Sequence, residues 1–196
     1  MASIRERTPA ITAPMTTALL IIDVQHALCS GEYEAFESQR VIERINVVSR
    51  KMREAGATVI VIQHEAPGGP LEYGTQGWNL AAGLDVQPTD IYVRKKATDS
   101  FHDTDLQGIL QARGVTELAI CGLQSEFCVD TTTRRALALG YPVTLVSDAH
   151  STMSNSILSA AQITAHHNET LANITSFGPR VVLVPSSEVK VATGKP

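Results

Sequence analysis

Short apolar runs alternate with amphipathic stretches along most of this chain, and this alternation constrains the fold more than any other feature. The runs are short enough for strands buried on both faces of a sheet, and they lie at 18–24, 57–64, 90–96, 116–122, 141–149 and 180–184. Helical patterns lie between them, at 37–56, 103–114, 128–140 and 155–173. Strands and helices that alternate across short links form parallel sheets covered on both faces. The sequence therefore predicts a three-layer α/β domain.

The first helical pattern is the clearest, with apolar residues at 41, 42, 45, 48 and 52 and a glycine stop at Gly56. Residues 65–89 are rich in Gly and Pro and have no clear period, and a loop of this length in a compact domain is more often functional than filler. We expect residues 1–16 to form a polar N-terminal arm and 17–196 to form the domain.

Composition narrows the possible partners. The net charge of -4 and the lack of a basic cluster beyond "VRKK" argue against a nucleic-acid partner. No apolar run approaches the roughly 20 residues that span a bilayer, and the polar N-terminus does not have the pattern of a signal peptide. Three cysteines make an odd count, which favours free thiols in a reducing compartment. We expect a cytoplasmic protein with a small-molecule partner.

Reactive side chains fall at the carboxyl ends of three predicted strands. Asp23 closes the first strand, Lys95 and Lys96 close the third, and Cys128 follows the fourth. Ligands of open parallel sheets bind outside these ends, near the point where strand order reverses. The strand periodicity requires no acid or base there, so this convergence indicates a reactive site.

These residue types suit nucleophilic chemistry. A thiolate is the reactive form of cysteine, and a nearby ammonium or a helix N-terminus lowers the pKa of the thiol. A carboxylate can take the thiol proton and later give it to a leaving amine. Backbone N–H groups in the "GLQSEFC" turn could bind an oxyanion. An Asp, a Lys and a Cys are thus sufficient for acyl transfer to water.

Three segments of the chain resemble the isochorismatase-like cysteine hydrolases: "LLIIDVQ", "VRKKATDSFHDTDL" and "CGLQSEFCVDTTTRRALALGYPVTLVSDAHST". The resemblance runs from about residue 17 to 185. It implies an isochorismatase-like, Rossmann-like αβα fold with a six-stranded parallel sheet. It also implies an Asp–Lys–Cys triad that attacks amide or related C–N bonds.

Transferred residue by residue, the resemblance makes Asp23 the acid–base and Cys128 the nucleophile. The lysine stands six residues before Phe101, so Lys95 takes that role rather than Lys96. The family's cis peptide would lie between Leu123 and Gln124, and the backbone N–H groups of Gln124 and Cys128 would form the oxyanion hole.

The chain also departs from metal-bearing relatives. Nicotinamidases of this family carry a metal site that opens with Asp-x-His after the second strand, whereas this chain reads "VIQHEAPGG" there. We therefore expect no metal and no cofactor. Members that cleave the vinyl ether of isochorismate can lack the cysteine, so Cys128 favours a substrate of the amide, lactam or carbamoyl kind.

Other interpretations of Cys128 remain. A lone cysteine after a strand is commonly structural, and a thiol sensor or binding domain would not need both Asp23 and Lys95. "CVDTTTR" has the Cys-x5-Arg spacing of a phosphatase loop, but it contains no glycine and places Asp130 where an anion would be repelled. An isochorismatase-type vinyl ether hydrolase is the remaining enzymatic alternative.

Several other residues are candidates for substrate contact or assembly. His64 and His150 follow strands at the reactive end of the sheet, and Trp78 either walls the pocket or anchors the long loop. The adjacent His166 and His167 point apart on a helix and suit a surface or an interface. The helix at 155–173 has almost no charge, and a helix in a monomer normally turns a charged side to water. We therefore expect a homo-oligomer, a dimer or a tetramer.

Overall fold

The computed structural model describes residues 16–191. The predicted N-terminal arm lies outside the described residues except for Thr16, as do residues 192–196 of the predicted domain. The strands are β1 (Thr17–Ile22), β2 (Thr58–His64), β3 (Ile91–Lys95), β4 (Glu117–Leu123), β5 (Val143–Ser151) and β6 (Val181–Val184). The α-helices are α1 (His26–Cys29), α2 (Ser38–Glu54), α3 (Leu106–Ala112), α4 (Asp130–Ala138) and α5 (Ala160–Ala172).

The strands form one six-stranded sheet in the order β3-β2-β1-β4-β5-β6. Every neighbouring pair is parallel. The predicted fold class, a three-layer αβα domain with a six-stranded parallel sheet, is confirmed.

Two apolar cores cover the two faces of the sheet, because successive side chains of a strand point to opposite faces. Leu20 and Ile22 of β1 belong to a core completed by residues of α3, α4 and α5. Leu19 and Ile21 belong to the other core, which is completed mainly by α2. The predicted apolar positions of α2 all lie in this second core.

The last helix begins later than the sequence pattern predicts. Ser159 caps it, accepting a hydrogen bond from the Gln162 N–H, and the Gln162 side chain accepts in return from the Ser159 N–H. Ile157 therefore lies in the preceding loop, where it is 85% exposed. A short helix, α1, and a π-helical turn at Ser125–Val129 were not predicted either.

Strand order reverses at β1, which pairs with β2 on one side and β4 on the other. Gly122 makes this junction possible. Its φ is +118°, and a Cβ there would lie 2.1 Å from the Ile22 carbonyl oxygen. Only glycine fits, so the backbones after β1 and β4 approach closely at the carboxyl edge of the sheet.

The long segment between β2 and β3 contains no helix or strand of its own, apart from a single bridge between Gln25 and Leu80. The side-chain amides of Gln25 and Gln63 both donate to the Trp78 carbonyl oxygen, at 2.9 and 3.0 Å, and hold the segment against the sheet. Across residues 16–191, none of the helices combines the length and the apolar character needed to cross a bilayer.

Candidate active site

Asp23, Lys95 and Cys128 meet at the carboxyl edge of the sheet. The Lys95 Nζ lies 2.7 Å from the Asp23 Oδ2 and 3.1 Å from the Cys128 Sγ. All three residues are buried, with 1%, 2% and 7% of their surface exposed. The fold thus brings together the three side chains that the sequence singled out from separate segments.

Asp23 is held in an unusual backbone conformation directly after β1. Its φ is +52°, in the left-handed region that non-glycine residues seldom adopt. Its N–H donates to the Ile62 carbonyl oxygen, so β2 fixes the residue in place. One carboxylate oxygen binds Lys95, whereas Oδ1 has no hydrogen-bond partner among residues 16–191. That free oxygen is available to accept a proton.

The Lys95 ammonium contacts four groups of the site. Besides Asp23 and Cys128, its Nζ lies 2.9 Å from the His64 Nδ1 and 3.0 Å from the Ala97 carbonyl oxygen. Lys96 is exposed, because neighbouring strand residues point to opposite faces. Of these two lysines, Lys95 is the one that contacts the Cys128 thiol. A requirement for Lys95, and not Lys96, in catalysis stays a prediction.

The surroundings of Cys128 raise its pKa to about 12, mainly through burial and then through the charge of Asp23, while Lys95 acts in the opposite direction. The sequence interpretation counted only the lowering by the ammonium and the helix end, and it left out the desolvation of a buried thiolate. Cys128 therefore rests as a thiol beside the Asp23 carboxylate. Burial raises the pKa of Cys29 and Cys121 as well.

The turn that carries Cys128 supplies backbone donors. The Leu123–Gln124 peptide bond is cis. The Gln124 carbonyl oxygen accepts from both the Phe127 and the Val129 N–H groups, whereas the Gln124 N–H has no acceptor in the described part of the chain. This free N–H stands four residues before the nucleophile, where the resemblance expects an oxyanion donor.

Gln25 is a structural residue of the site that the sequence interpretation missed. It is fully buried, and its side-chain amide makes two hydrogen bonds to the backbone of His64, accepting from the N–H at 2.8 Å and donating to the carbonyl oxygen at 3.1 Å. Its position two residues after Asp23 was visible in the sequence, but a glutamine side chain does not itself indicate a backbone clamp.

Asp23, His64 and Cys128 also form a cluster of metal-ligand type, with ligand atoms within 4.8 Å of one another. The Lys95 ammonium lies within 3.1 Å of a ligand atom of each. A positive charge thus already occupies the centre of the cluster, and a divalent cation there would be repelled. The residues do not fit a metal centre while Lys95 is protonated.

His150 does not take the position that the sequence suggested. It is 2% exposed, and protein groups occupy both ring nitrogens. Nδ1 lies 2.8 Å from the Ser125 Oγ, and Nε2 lies 2.9 Å from the Asn168 Oδ1. The sequence led us to expect that His150 contacts substrate. The structure instead buries its side chain against Ser125, in the turn that carries Cys128.

Contacts bear on two other sequence interpretations. The Trp78 carbonyl oxygen anchors the long loop, and its ring packs edge-on against Tyr73 with centroids 4.8 Å apart. Arg134 forms a two-pronged pair with Asp130, at 2.8 and 3.0 Å. A phosphatase loop needs that guanidinium free to bind an anion, so this pairing argues against the phosphatase interpretation.

A cleft of about 740 Å³ runs along the outer edge of β3, lined by Tyr92, Arg94 and His102 among others. Lys95 also lines it, whereas Asp23, His64 and Cys128 do not. The cleft therefore adjoins the reactive cluster at Lys95.

The fold and the site define a three-layer α/β protein with a buried carboxylate, ammonium and thiol at the point where strand order reverses. The isochorismatase domain model matches residues 17–176. The chain belongs to the isochorismatase family.

Curated relatives include a streptothricin hydrolase of Streptomyces noursei, 45% identical over 136 residues, or 69% of this chain and 49% of the relative. The ureidoacrylate amidohydrolase RutB of Caulobacter vibrioides is 29% identical, with 72% of this chain and 79% of the relative covered. A crystal structure of an isochorismatase family protein aligns with a TM-score of 0.78 and 36% identity over 86% of this chain and 97% of that one. The chain spans about half the length of the first of these relatives.

Proposed function

We propose that this protein is a cysteine-dependent hydrolase that cleaves a C–N bond of a small molecule, of the amide, lactam or carbamoyl kind. The observation that supports it most directly is the Lys95 ammonium, which bonds the Asp23 carboxylate and the Cys128 sulfur together in a buried cluster. Two relatives named as hydrolases of this kind of compound, streptothricin hydrolase and ureidoacrylate amidohydrolase, support the same class.

The first half of the reaction acylates the cysteine. The Cys128 Sγ attacks the carbonyl carbon as the Asp23 carboxylate takes the thiol proton. The Lys95 ammonium stabilises the sulfur as it loses that proton, and the Gln124 and Cys128 N–H groups bind the oxyanion. Asp23 then gives the proton to the leaving nitrogen, the C–N bond breaks, and a thioester remains.

The second half returns the enzyme to its starting state. Asp23 takes a proton from a water molecule, and the resulting hydroxide attacks the thioester carbon. The C–S bond breaks, Asp23 returns the proton to the sulfur, and the acid is released. Because Cys128 rests as a thiol, the carboxylate beside it is needed in both halves.

A panel of small amides, lactams and carbamoyl compounds, with streptothricin and ureidoacrylate among them, tests this function through release of ammonia or amine. We expect turnover of at least one compound, and its complete loss in Cys128→Ala with the fold intact by circular dichroism. Full activity in that variant would contradict the proposal. Isochorismate belongs in the panel, because its cleavage without any amide turnover would favour the vinyl ether hydrolase instead.

A further inference from the structure

The contacts of Lys95 fix the proton position on His64. A lysine ammonium only donates hydrogen bonds, and its three hydrogens are shared here among four neighbours. The His64 Nδ1, at 2.9 Å, therefore faces the ammonium as an acceptor. A neutral imidazole that accepts at Nδ1 carries its hydrogen on Nε2. His64 also has its pKa lowered, mainly by burial and then by the charge of Lys95. The ring is therefore neutral and in one tautomer.

The outer nitrogen of this ring is unoccupied by protein. Nε2 has no hydrogen-bond partner among residues 16–191, and the side chain is 18% exposed. Nδ1 faces Lys95 and stands 3.9 Å from the Cys128 Sγ, so the opposite side of the ring points away from the buried cluster. The Nε2–H is thus not engaged by the buried cluster and stays free for a bound molecule.

The position of the ring is rigid. The Gln25 side chain holds the His64 backbone by its N–H and by its carbonyl oxygen, and Lys95 holds the ring from inside. A donor constrained at both ends loses little entropy when it binds a ligand. A plain surface histidine would have neither constraint.

We propose that the Nε2–H of His64 is a specificity determinant that donates to a second hydrogen-bond acceptor on the substrate, beside the scissile C–N bond. The inference rests on the proposed function and narrows its substrate class to amides that carry a carbonyl, carboxylate or ring-nitrogen acceptor next to the reacting carbon. An amide with only alkyl groups there would leave the donor unpaired and react poorly.

Two substitutions of His64 test the roles of Nδ1 and Nε2 separately. Asparagine places an oxygen near the Nδ1 position, so His64→Asn keeps an acceptor for Lys95 and loses the outer donor. Glutamine places an amide near the Nε2 position, so His64→Gln keeps the donor and loses the inner acceptor. His166→Asn, on the outer side of α5, is the matched control.

For a compound that the panel identifies, we expect His64→Asn to raise KM about tenfold with little change in kcat, as for loss of one ground-state hydrogen bond. The pH profile of Cys128 alkylation by iodoacetamide should stay unchanged. His64→Gln should keep KM near wild type and move the alkylation profile to lower pH, because the freed Lys95 hydrogen goes to the sulfur. Equal effects of both substitutions on both measurements would overturn the proposal.

Two measurements do not require turnover. Nitrogen-15 NMR of the wild-type protein at pH 7 should show His64 protonated at Nε2 only, and a proton on Nδ1 would overturn the proposal. Iodoacetamide carries an amide carbonyl one bond beyond the carbon that Cys128 attacks, so His64→Asn should raise its saturation constant and His166→Asn should not. If no panel compound is hydrolysed, the proposed function fails while these results still decide the role of His64.

Discussion

At the scale of single residues, burial and charge around Cys128 act in opposite directions. Desolvation and the Asp23 carboxylate disfavour the thiolate, whereas the Lys95 ammonium favours it. Burial is the largest of the three effects. The balance of these effects keeps the resting side chain a thiol.

Removal of Asp23 and removal of Lys95 should shift the pKa of Cys128 in opposite directions. Asp23→Asn removes a negative charge, so we expect a lower pKa of Cys128 and faster alkylation by iodoacetamide at pH 8, with no turnover. Lys95→Met removes the positive charge, so alkylation should slow and turnover should also stop. Lys96→Met, at an exposed neighbour, should behave as wild type. Slower alkylation in Asp23→Asn would contradict this account of the site.

His150 links the stability of the fold to pH. Burial is the main cause that lowers its pKa from 6.5 to about 4, and the charge of His167 adds to the effect, while the Asn168 hydrogen bond and Asp148 oppose it. Between these pH values the unfolded chain binds a proton that the folded protein refuses. The free energy of unfolding should therefore fall as pH drops from 6.5 towards 4, by up to about 3 kcal/mol.

Urea unfolding at several pH values measures this effect. His150→Gln should lower stability at pH 7, where it disturbs the contacts with Ser125 and Asn168, yet flatten the dependence between pH 6.5 and 4. An unchanged slope in that variant would assign the acid sensitivity to other groups.

At the scale of elements, the junction of β1 and β4 sets the geometry of the site. Gly122 pairs with Ile22. Ile22 directly precedes Asp23, and Gly122 lies two residues before Gln124. A shift of β4 away from β1 would move the Gln124 N–H and the Asp23 carboxylate apart. The site is therefore sensitive to this contact between two backbones.

Gly122→Ala should destabilise the fold by about 3–5 kcal/mol, because the new methyl group meets backbone atoms at 2.1 Å and because φ stays positive. Gly108→Ala is the control. Gly108 lies inside α3 with open space at its Cβ, so alanine should stabilise the protein by about 0.5–1 kcal/mol. Thermal unfolding of both variants checks the pair, and a mild effect at Gly122 would mean that β4 can move aside.

The strands and their parallel arrangement were predictable because buried parallel strands leave continuous apolar runs. Asp23, Lys95 and Cys128 were predictable because they are reactive side chains at or after the ends of those runs. The π-helical turn and the cap at Ser159 were not, since both depend on local hydrogen bonds that periodicity does not reveal. The position of His150 was also missed. A strand end indicates the edge of the sheet, but contacts with Ser125 and Asn168 decide whether the side chain faces a ligand or the core.

At the scale of the whole molecule, assembly stays a prediction. The outer side of α5 shows small or polar residues, such as Ala161, Ala165 and Glu169. Exposed apolar side chains lie instead on neighbouring segments, including Phe36, Phe127 and Ile157. Such residues favour contact with another protein surface.

We therefore still propose a closed homo-oligomer, and light scattering at micromolar concentration measures it. The expected mass is a small multiple of the 21.1 kDa chain. A mass of one chain would rule the assembly out and leave these side chains as ordinary surface residues.

Chelation provides a test of the whole catalytic unit. Lys95 occupies the centre of the Asp23, His64 and Cys128 cluster, so prolonged treatment with EDTA should leave hydrolysis of a panel substrate unchanged. Loss of activity that added zinc restores would show that a metal displaces the ammonium in the working protein.

The positive charge at the centre of this site is the Lys95 ammonium, which is covalently part of the chain. It cannot dissociate on dilution, be exchanged for a competing ion or be withheld when a nutrient metal is scarce. Under the proposed function, the positive charge that stabilises the thiolate would need no loading step between folding and activity.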